Sequence, residues 1–272
     1  MEQRWLFVLL SVSLVGILVS VVAAQSASGS VELNLGVQAY RHAKYDEAIQ
    51  HFEKAVNLDP ANAVAHLYLA VSYAQQYIPG ADTPDNIKMG DRAIQHYKKV
   101  IDLDFSKGAT VDAVKGIAYL QLQMKRFEEA KDYYRRATEL DPEDPEPYYS
   151  IGVIDWTETY QPRQEERAGL GLKPEDSLPA KDRNVCLTLR EKNWAKIQDG
   201  IDNLSTALQL RHLYDDAMAY MNLMYRERAD LQCDDPVARE ADLKMADAWV
   251  DKTMAAKKIK AEKQGAVPAP KQ

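Results

Sequence analysis

One spacing pattern limits what this chain can fold into more than any other feature. Ala48-x-x-x-Phe52-x-x-Ala55 returns as Ala93-x-x-x-Tyr97-x-x-Val100, as Ala130-x-x-x-Tyr134-x-x-Ala137 and as Gly200-x-x-x-Leu204-x-x-Ala207. Residues four and three apart share one face of a helix. On that face the small residues let a second helix approach closely, and the large one fills the space beside it. Leu-Asp follows the first three copies at Leu58-Asp59, Leu103-Asp104 and Leu140-Asp141, and Leu210 keeps the place in the fourth. Pro60 and Pro142 then end the helix, because proline has no N–H to donate and restricts the residue before it.

A partner pattern precedes each copy. Leu35-Gly36, Leu69-Ala70, Ile117-Ala118, Ile151-Gly152 and Met221-Asn222 pair a large residue with a small one, Asn222 being the exception. The step from one copy to the next partner is constant at 22 residues (48 to 70, 130 to 152, 200 to 222), and 25 from 93 to 118. The step from partner to copy is 12 residues in the first and third units (36 to 48, 118 to 130). It is 23 in the second (70 to 93), 48 in the fourth (152 to 200) and 24 in a fifth (222 to 246). All three large insertions therefore fall in one turn, the turn between the first and second helix of a unit.

Leu35–Pro60, the least altered unit, resembles the tetratricopeptide repeat, a helix-turn-helix of ~34 residues with the pattern Leu-Gly…Ala-x-x-x-Phe…Pro. The resemblance covers residues 30–260. It implies an all-α fold, an α-solenoid of about five helix pairs (helix A, then helix B) with a terminal capping helix near 237–260, where Ala246, Val250 and Thr253 keep helix-B spacing. Insertions are expected near 74–89, 157–193 and 228–240, displayed along one edge. Thr83-Pro84 reads as a helix start. The longest insertion reads as a loop containing Gly169-Leu-Gly-Leu-Lys-Pro, followed by an N-terminal extension of the fourth helix B. Its charges balance, seven basic against seven acidic between Thr157 and Asn193. Cys233-Asp-Asp-Pro reads as a helix stop and restart, and residues 261–272 as a disordered tail.

Members of this family bind protein segments in a groove lined by helix A. Carried over by register, the groove positions are Leu33, Val37, Tyr40 and Arg41, then Leu67 and Val71, then Lys115, Tyr119 and Gln123, then Tyr149, Val153 and Trp156, then Leu223, Arg226 and Glu227. The family members that grip a C-terminal carboxylate use Lys and Asn where Leu33 and Val37 stand, so that clamp is not implied. An apolar groove suits an amphipathic helix or an extended peptide, with Tyr149 and Trp156 as anchors. The alternative is a groove filled by the chain itself, from residues 157–193 or the last helix. The run Asp216–Asp230 also resembles one found in exported tetratricopeptide proteins of bacteria, which implies an envelope protein without a given activity.

The N-terminus is a targeting segment. Arg4 precedes an apolar run from Trp5 to Val22, and Val22-Ala23-Ala24 offers small residues before Gln25. This reads as a signal peptide over residues 1–24, followed by a linker over 25–29. The rival is a retained membrane anchor, since eighteen residues at ~1.5 Å span roughly 27 Å of a ~30 Å hydrocarbon core. Ala24 and the polar Gln-Ser-Ala-Ser-Gly-Ser favour cleavage, and no cysteine stands there to carry lipid. In an oxidising compartment Cys186 and Cys233 can pair; otherwise they are two half-buried thiols.

Nothing in the chain suggests catalysis. None of His42, His51, His66, His96 and His212 makes an H-x-x-x-H pair or stands near a cysteine, so no metal is expected. Gly169-Leu-Gly lacks a third glycine, and neither a phosphate loop nor Gly-x-Ser-x-Gly is present, so no cofactor is expected. Adjacent acids such as Glu128-Glu129 and Asp234-Asp235 point apart on a helix. The formal net charge of −7 disfavours nucleic acid and anionic membranes. The expected function is a non-enzymatic, exported interaction scaffold of the periplasm or cell envelope, with a membrane-anchored assembly factor, or a small-molecule or sugar binder beside residues 157–193, as alternatives.

Overall fold

The computed structural model describes residues 27–173 and 176–265. The targeting segment and the last seven residues of the expected tail lie outside the described residues. Among the described residues every regular element is a helix: α1 over 27–41, α2 (Tyr45–Leu58), α3 (Ala63–Gln76), α4 (Pro84–Leu103), α5 (Lys107–Gln123), α6 (Phe127–Leu140), α7 (Pro145–Gly169), the single turn α8 (Leu178–Lys181), α9 (Arg183–Leu210), α10 (Asp215–Asp230) and α11 (Pro236–Gly265). The chain divides into two compact units, residues 1–133 and 134–272.

In the first unit α2 packs on α3, α3 on α4 and α4 on α5. Phe52, Leu69, Tyr73, Tyr97, Ile117 and Leu120 form its core. In the second unit α7 packs on α9, α9 on α10 and α10 on α11, around Leu178, Leu189, Ile197, Leu204, Met221 and Met224. The small positions of helix B do what their spacing predicts. Ala48, Ala93, Ala130 and Gly200 are all buried. A Cβ on Gly36 would lie 2.5 Å from the Phe52 ring, and one on Gly152 would lie 2.5 Å from Leu204. At those two places only glycine permits the approach of helix A to helix B.

Local chemistry sets the helix ends. Thr83 accepts a hydrogen bond from the Asn86 N–H, with Pro84 in the first turn of α4, as expected for a cap followed by proline. Asn62, Ser106, Asp144 and Asp182 cap α3, α5, α7 and α9 in the same way. The short turns of the first and third helix pairs close identically. Ala43 and Lys125 adopt a left-handed backbone, and the N–H groups of Lys44 and Arg126 reach back to the carbonyls of Ala39 and Gln121, which satisfies a helix end. The second-pair insertion is held by Asn86, whose side chain donates to the carbonyls of Ile78 and Ala81 and accepts from the Ile78 N–H.

The longest insertion differs from expectation. It is not a loop leading into an extended helix B; both helices of the fourth pair are extended. Helix α7 continues through Pro162 to Gly169, and Gly171 then closes it with the left-handed stop seen at Ala43 and Lys125. Among the described residues of this insertion, irregular chain is left at 170–173, 176–177 and 182, on either side of α8. A proline inside a helix costs about 3 kcal/mol. The helix survives because Arg163 and Arg167, one and five residues past Pro162, are buried and fixed to α10. At the C-terminus α11 packs along α10 as the second helix of a fifth pair and also serves as the cap. It runs to Gly265, so residues 261–265 are helical rather than disordered. At the other end α1 already includes residues 27–29, within the expected linker.

Candidate functional site

In the first unit the predicted helix-A positions converge. Leu33, Val37 and Tyr40 stand on α1 and Leu67 and Val71 on α3, and all five are half-buried against the core. Tyr40, Leu67, Tyr68, Val71 and Tyr97 line an apolar pocket of about 390 Å3, and Asp112 brings a carboxylate to it from α5. Tyr68 stacks on Phe52 at 5.4 Å and meets Tyr40 edge-on at 5.9 Å, so the pocket wall is braced by aromatic contacts. Burial pushes the phenols of Tyr40 and Tyr97 up, Tyr97 to about 12, and both stay neutral. Arg41 and Tyr119 are exposed, and Lys115 and Gln123 are half-buried; none of these four lines the pocket.

In the second unit Tyr149, Val153 and Trp156 are half-buried on α7. The two proposed anchors already have ring partners. Tyr149 lies 4.8 Å from Tyr214 and 5.7 Å from Tyr220, while Trp156 stacks on Tyr160 at 4.6 Å and meets Tyr220 at 5.4 Å. Burial pushes the phenols of Tyr149, Tyr214 and Tyr220 up. Arg226 is exposed and donates to Asp247 at 2.8 Å. Glu227 does not face a groove; it is buried and bound to Arg163.

That ion pair belongs to a network the sequence reading missed. Arg163 donates to Glu227 Oε1 at 2.7 Å and to Asp230 Oδ2 at 2.5 Å, and Arg167 donates to Asp230 Oδ2 at 3.0 Å. Arg167 also donates to the carbonyls of Lys173 and Asp176, which pins the turn after α7. The available signal was the spacing: Arg163 and Arg167 are four apart, and Glu227 and Asp230 three apart, so each pair shares one helix face. Burial raises the Glu227 carboxyl to about 7 against the pull of Arg163. Nearby, Cys186 and Cys233 are joined by a disulfide with Cα atoms 5.7 Å apart, and Arg183 pairs with Asp234. The insertions of the fourth and fifth pairs therefore meet side by side.

Two histidines also come together without any sequence signal, being 30 residues apart. His66 Nδ1 lies 2.9 Å from His96 Nδ1, so one ring donates to the other. Burial holds both below the usual histidine range, and the neighbouring His66 adds to this for His96, which falls to about 4. Next to them Tyr73 donates to Glu53 and accepts from Arg92, and burial with the Glu53 bond raises its phenol to about 12. Among the described residues no three His, Cys, Asp or Glu side chains are grouped to hold a metal, and no helix is long and apolar enough to cross a membrane.

Two family models match the sequence, a TPR repeat over residues 40–76 and a tetratricopeptide repeat over residues 111–144. Both fall on helix pairs whose small and aromatic positions are buried as the repeat requires. The chain carries tetratricopeptide repeats in these two segments. A search of curated proteins gives no match. Similar solved structures include a MamA protein, with a TM-score of 0.58 and 15% identity over 89% of this chain and 98% of that one. A MamA from Desulfovibrio magneticus RS-1 (residues 41 to the end) has a TM-score of 0.55 and 14% identity over 85% and 96%. YrrB, described as a tetratricopeptide protein with an unusual peptide-binding site, has a TM-score of 0.52 and 13% identity over 84% and 90%. At these identities the likeness is one of fold. In tetratricopeptide terms, the apolar pocket of the first unit lies on the helix-A positions of the first two repeats.

Proposed function

We propose that this protein is an exported, non-enzymatic scaffold that binds a segment of a partner protein on its helix-A faces. The observation that carries the reading is the apolar pocket between Tyr40, Leu67, Tyr68, Val71 and Tyr97, with Asp112 beside it. Such a pocket suits one large apolar side chain of an extended or helical segment, followed or preceded by a basic residue for Asp112. The peptide-binding site named for YrrB supports a protein ligand. The Cys186–Cys233 bridge supports export, since such bonds persist in oxidising compartments.

The test is photocrosslinking from position 71 in the native cell, followed by binding of the captured partner to Val71→Asp and Trp156→Ala. The pocket reading expects Val71→Asp to abolish binding of the captured partner. Trp156→Ala weakens binding by about 1–3 kcal/mol if that ring is an anchor. Failure to capture any specific protein from position 71, or full binding by Val71→Asp, overturns the site. The intact mass of the cell-derived chain decides between the exported form and the membrane-anchored alternative: loss of the first 24 residues excludes the tether.

A further inference from the structure

The second unit holds a cavity of about 570 Å3 between α7, α10, α11 and the turn around Asp176. It adjoins the aromatic cluster of Tyr149 and Trp156 through Tyr160, and its lining has two characters. Leu172, Leu223, Leu243 and Tyr160 give it apolar walls, and four arginines reach it, Arg163, Arg167, Arg226 and Arg239. The volume is that of a small-molecule site.

The hydrogen bonds, rather than the charges, indicate the ligand. Glu227 and Asp230 each accept from Arg163, and Asp230 also from Arg167. Asp176 accepts from the Lys173 N–H, and Asp247 from Arg226. Each nearby acid thus has a donor. Arg239 has no acidic partner among the described residues, and its Nε is buried without a hydrogen bond. A buried donor left unpaired is costly, so what the cavity lacks is an acceptor. The pair that holds Arg226 is exposed on both sides and weak, so Arg226 can turn to a second acceptor. Arg163 and Arg167 are locked in place and give the cavity a rigid wall.

We propose that this cavity binds a small organic carboxylate with an apolar body, its carboxylate on Arg239 and its hydrocarbon against Leu172, Leu223 and Leu243. One uncommitted guanidinium presents a two-pronged edge that matches a planar carboxylate. A phosphate dianion needs more than one free cation, and a purely apolar ligand leaves Arg239 unpaired.

Calorimetry on the oxidised full chain tests this with octanoate and phenylacetate, against octan-1-ol, octylammonium and inorganic phosphate. Both carboxylates should bind saturably, and octan-1-ol, octylammonium and phosphate should bind at least about tenfold more weakly, a difference of ~1.4 kcal/mol. Arg239→Gln should weaken octanoate at least about tenfold and leave the melting temperature and octan-1-ol unchanged. Leu243→Asn should weaken octanoate while phosphate stays weak. Absence of saturable carboxylate binding, phosphate binding tighter than octanoate, or octanoate binding that survives Arg239→Gln overturns the assignment.

Discussion

Replacing Arg163 by Met removes the central cation of the network on α7 and α10. Its side chain is 11% exposed and that of Glu227 2%, so the ionised carboxylate would lose its arginine without gaining water. Leaving one member of a buried pair alone costs about 3–5 kcal/mol. Asp230 keeps Arg167, so Glu227 bears most of the loss. Its carboxyl already sits at about 7 rather than the ordinary 4.5, because burial outweighs Arg163. Without Arg163 the value rises further, and near pH 6 the group escapes by keeping its proton. The folded state then holds a proton that the unfolded state has released. Stability must fall as pH rises, by at most about 1.4 kcal/mol per pH unit for one group. The expected loss in Arg163→Met is smallest near pH 6, where the carboxyl is protonated with or without Arg163, and grows towards about 3 kcal/mol by pH 9. Urea unfolding followed by circular dichroism at several pH values reads both the size and the slope. The double variant Arg163→Met/Glu227→Met should recover most of the loss and abolish the slope. A double variant as unstable as the single, or a loss independent of pH, refutes this account.

Reduction of Cys186–Cys233 opens a loop of 47 residues, for which chain entropy predicts a loss of up to about 4 kcal/mol; urea midpoints with and without reductant measure it. Gly36→Val drives a side chain into the Phe52 ring and should cost at least about 1–3 kcal/mol, seen as a lower thermal midpoint, whereas Gly80→Ala, with open space but a left-handed backbone, should cost less. The His66–His96 pair is held neutral in the fold, so the unfolded chain takes up protons first. Stability should be full above about pH 6.5 and fall as pH drops towards 4, by about 1–2 kcal/mol after allowing for solvent screening. His96→Gln should flatten that dependence, measured as unfolding free energy against pH.

The repeat itself was legible because its rules are local and steric. Ala48, Phe52 and Gly36 report helix-on-helix distance through side-chain size alone, and the structure buries them as their spacing demands. The fourth pair was misread at Pro162 because a proline is judged by its own helix, whereas here the deciding contacts come from α10, more than 60 residues on. The same holds for Arg163 and Arg167. Counted along the chain, they disappear into a balanced set of charges; in the fold they are the buried ones among the described residues of that set. His66 with His96 is a meeting between helices, and Cys186 with Cys233 one between α9 and the turn after α10; no period in the sequence connects their positions. The pocket of the first unit falls between these cases. Register named Tyr40, Leu67 and Val71, but Tyr68 and Tyr97 belong to core positions and join the pocket only because two repeats stack.

The Cys186–Cys233 bond changes how the C-terminal end responds to load. Helical repeats contact only their neighbours, so an array pulled from one end tends to peel one helix at a time. Here a force on the C-terminus can strip α11 alone. The chain between the two cysteines contains most of α9 and all of α10, and it is bypassed by the covalent link, so the pull passes directly to the start of α9. Helices α9 and α10 are thereby shielded from tension. A pull on this end lengthens the protein by one helix, while the Arg163–Glu227 network and the α7–α10 wall of the second-unit cavity stay assembled.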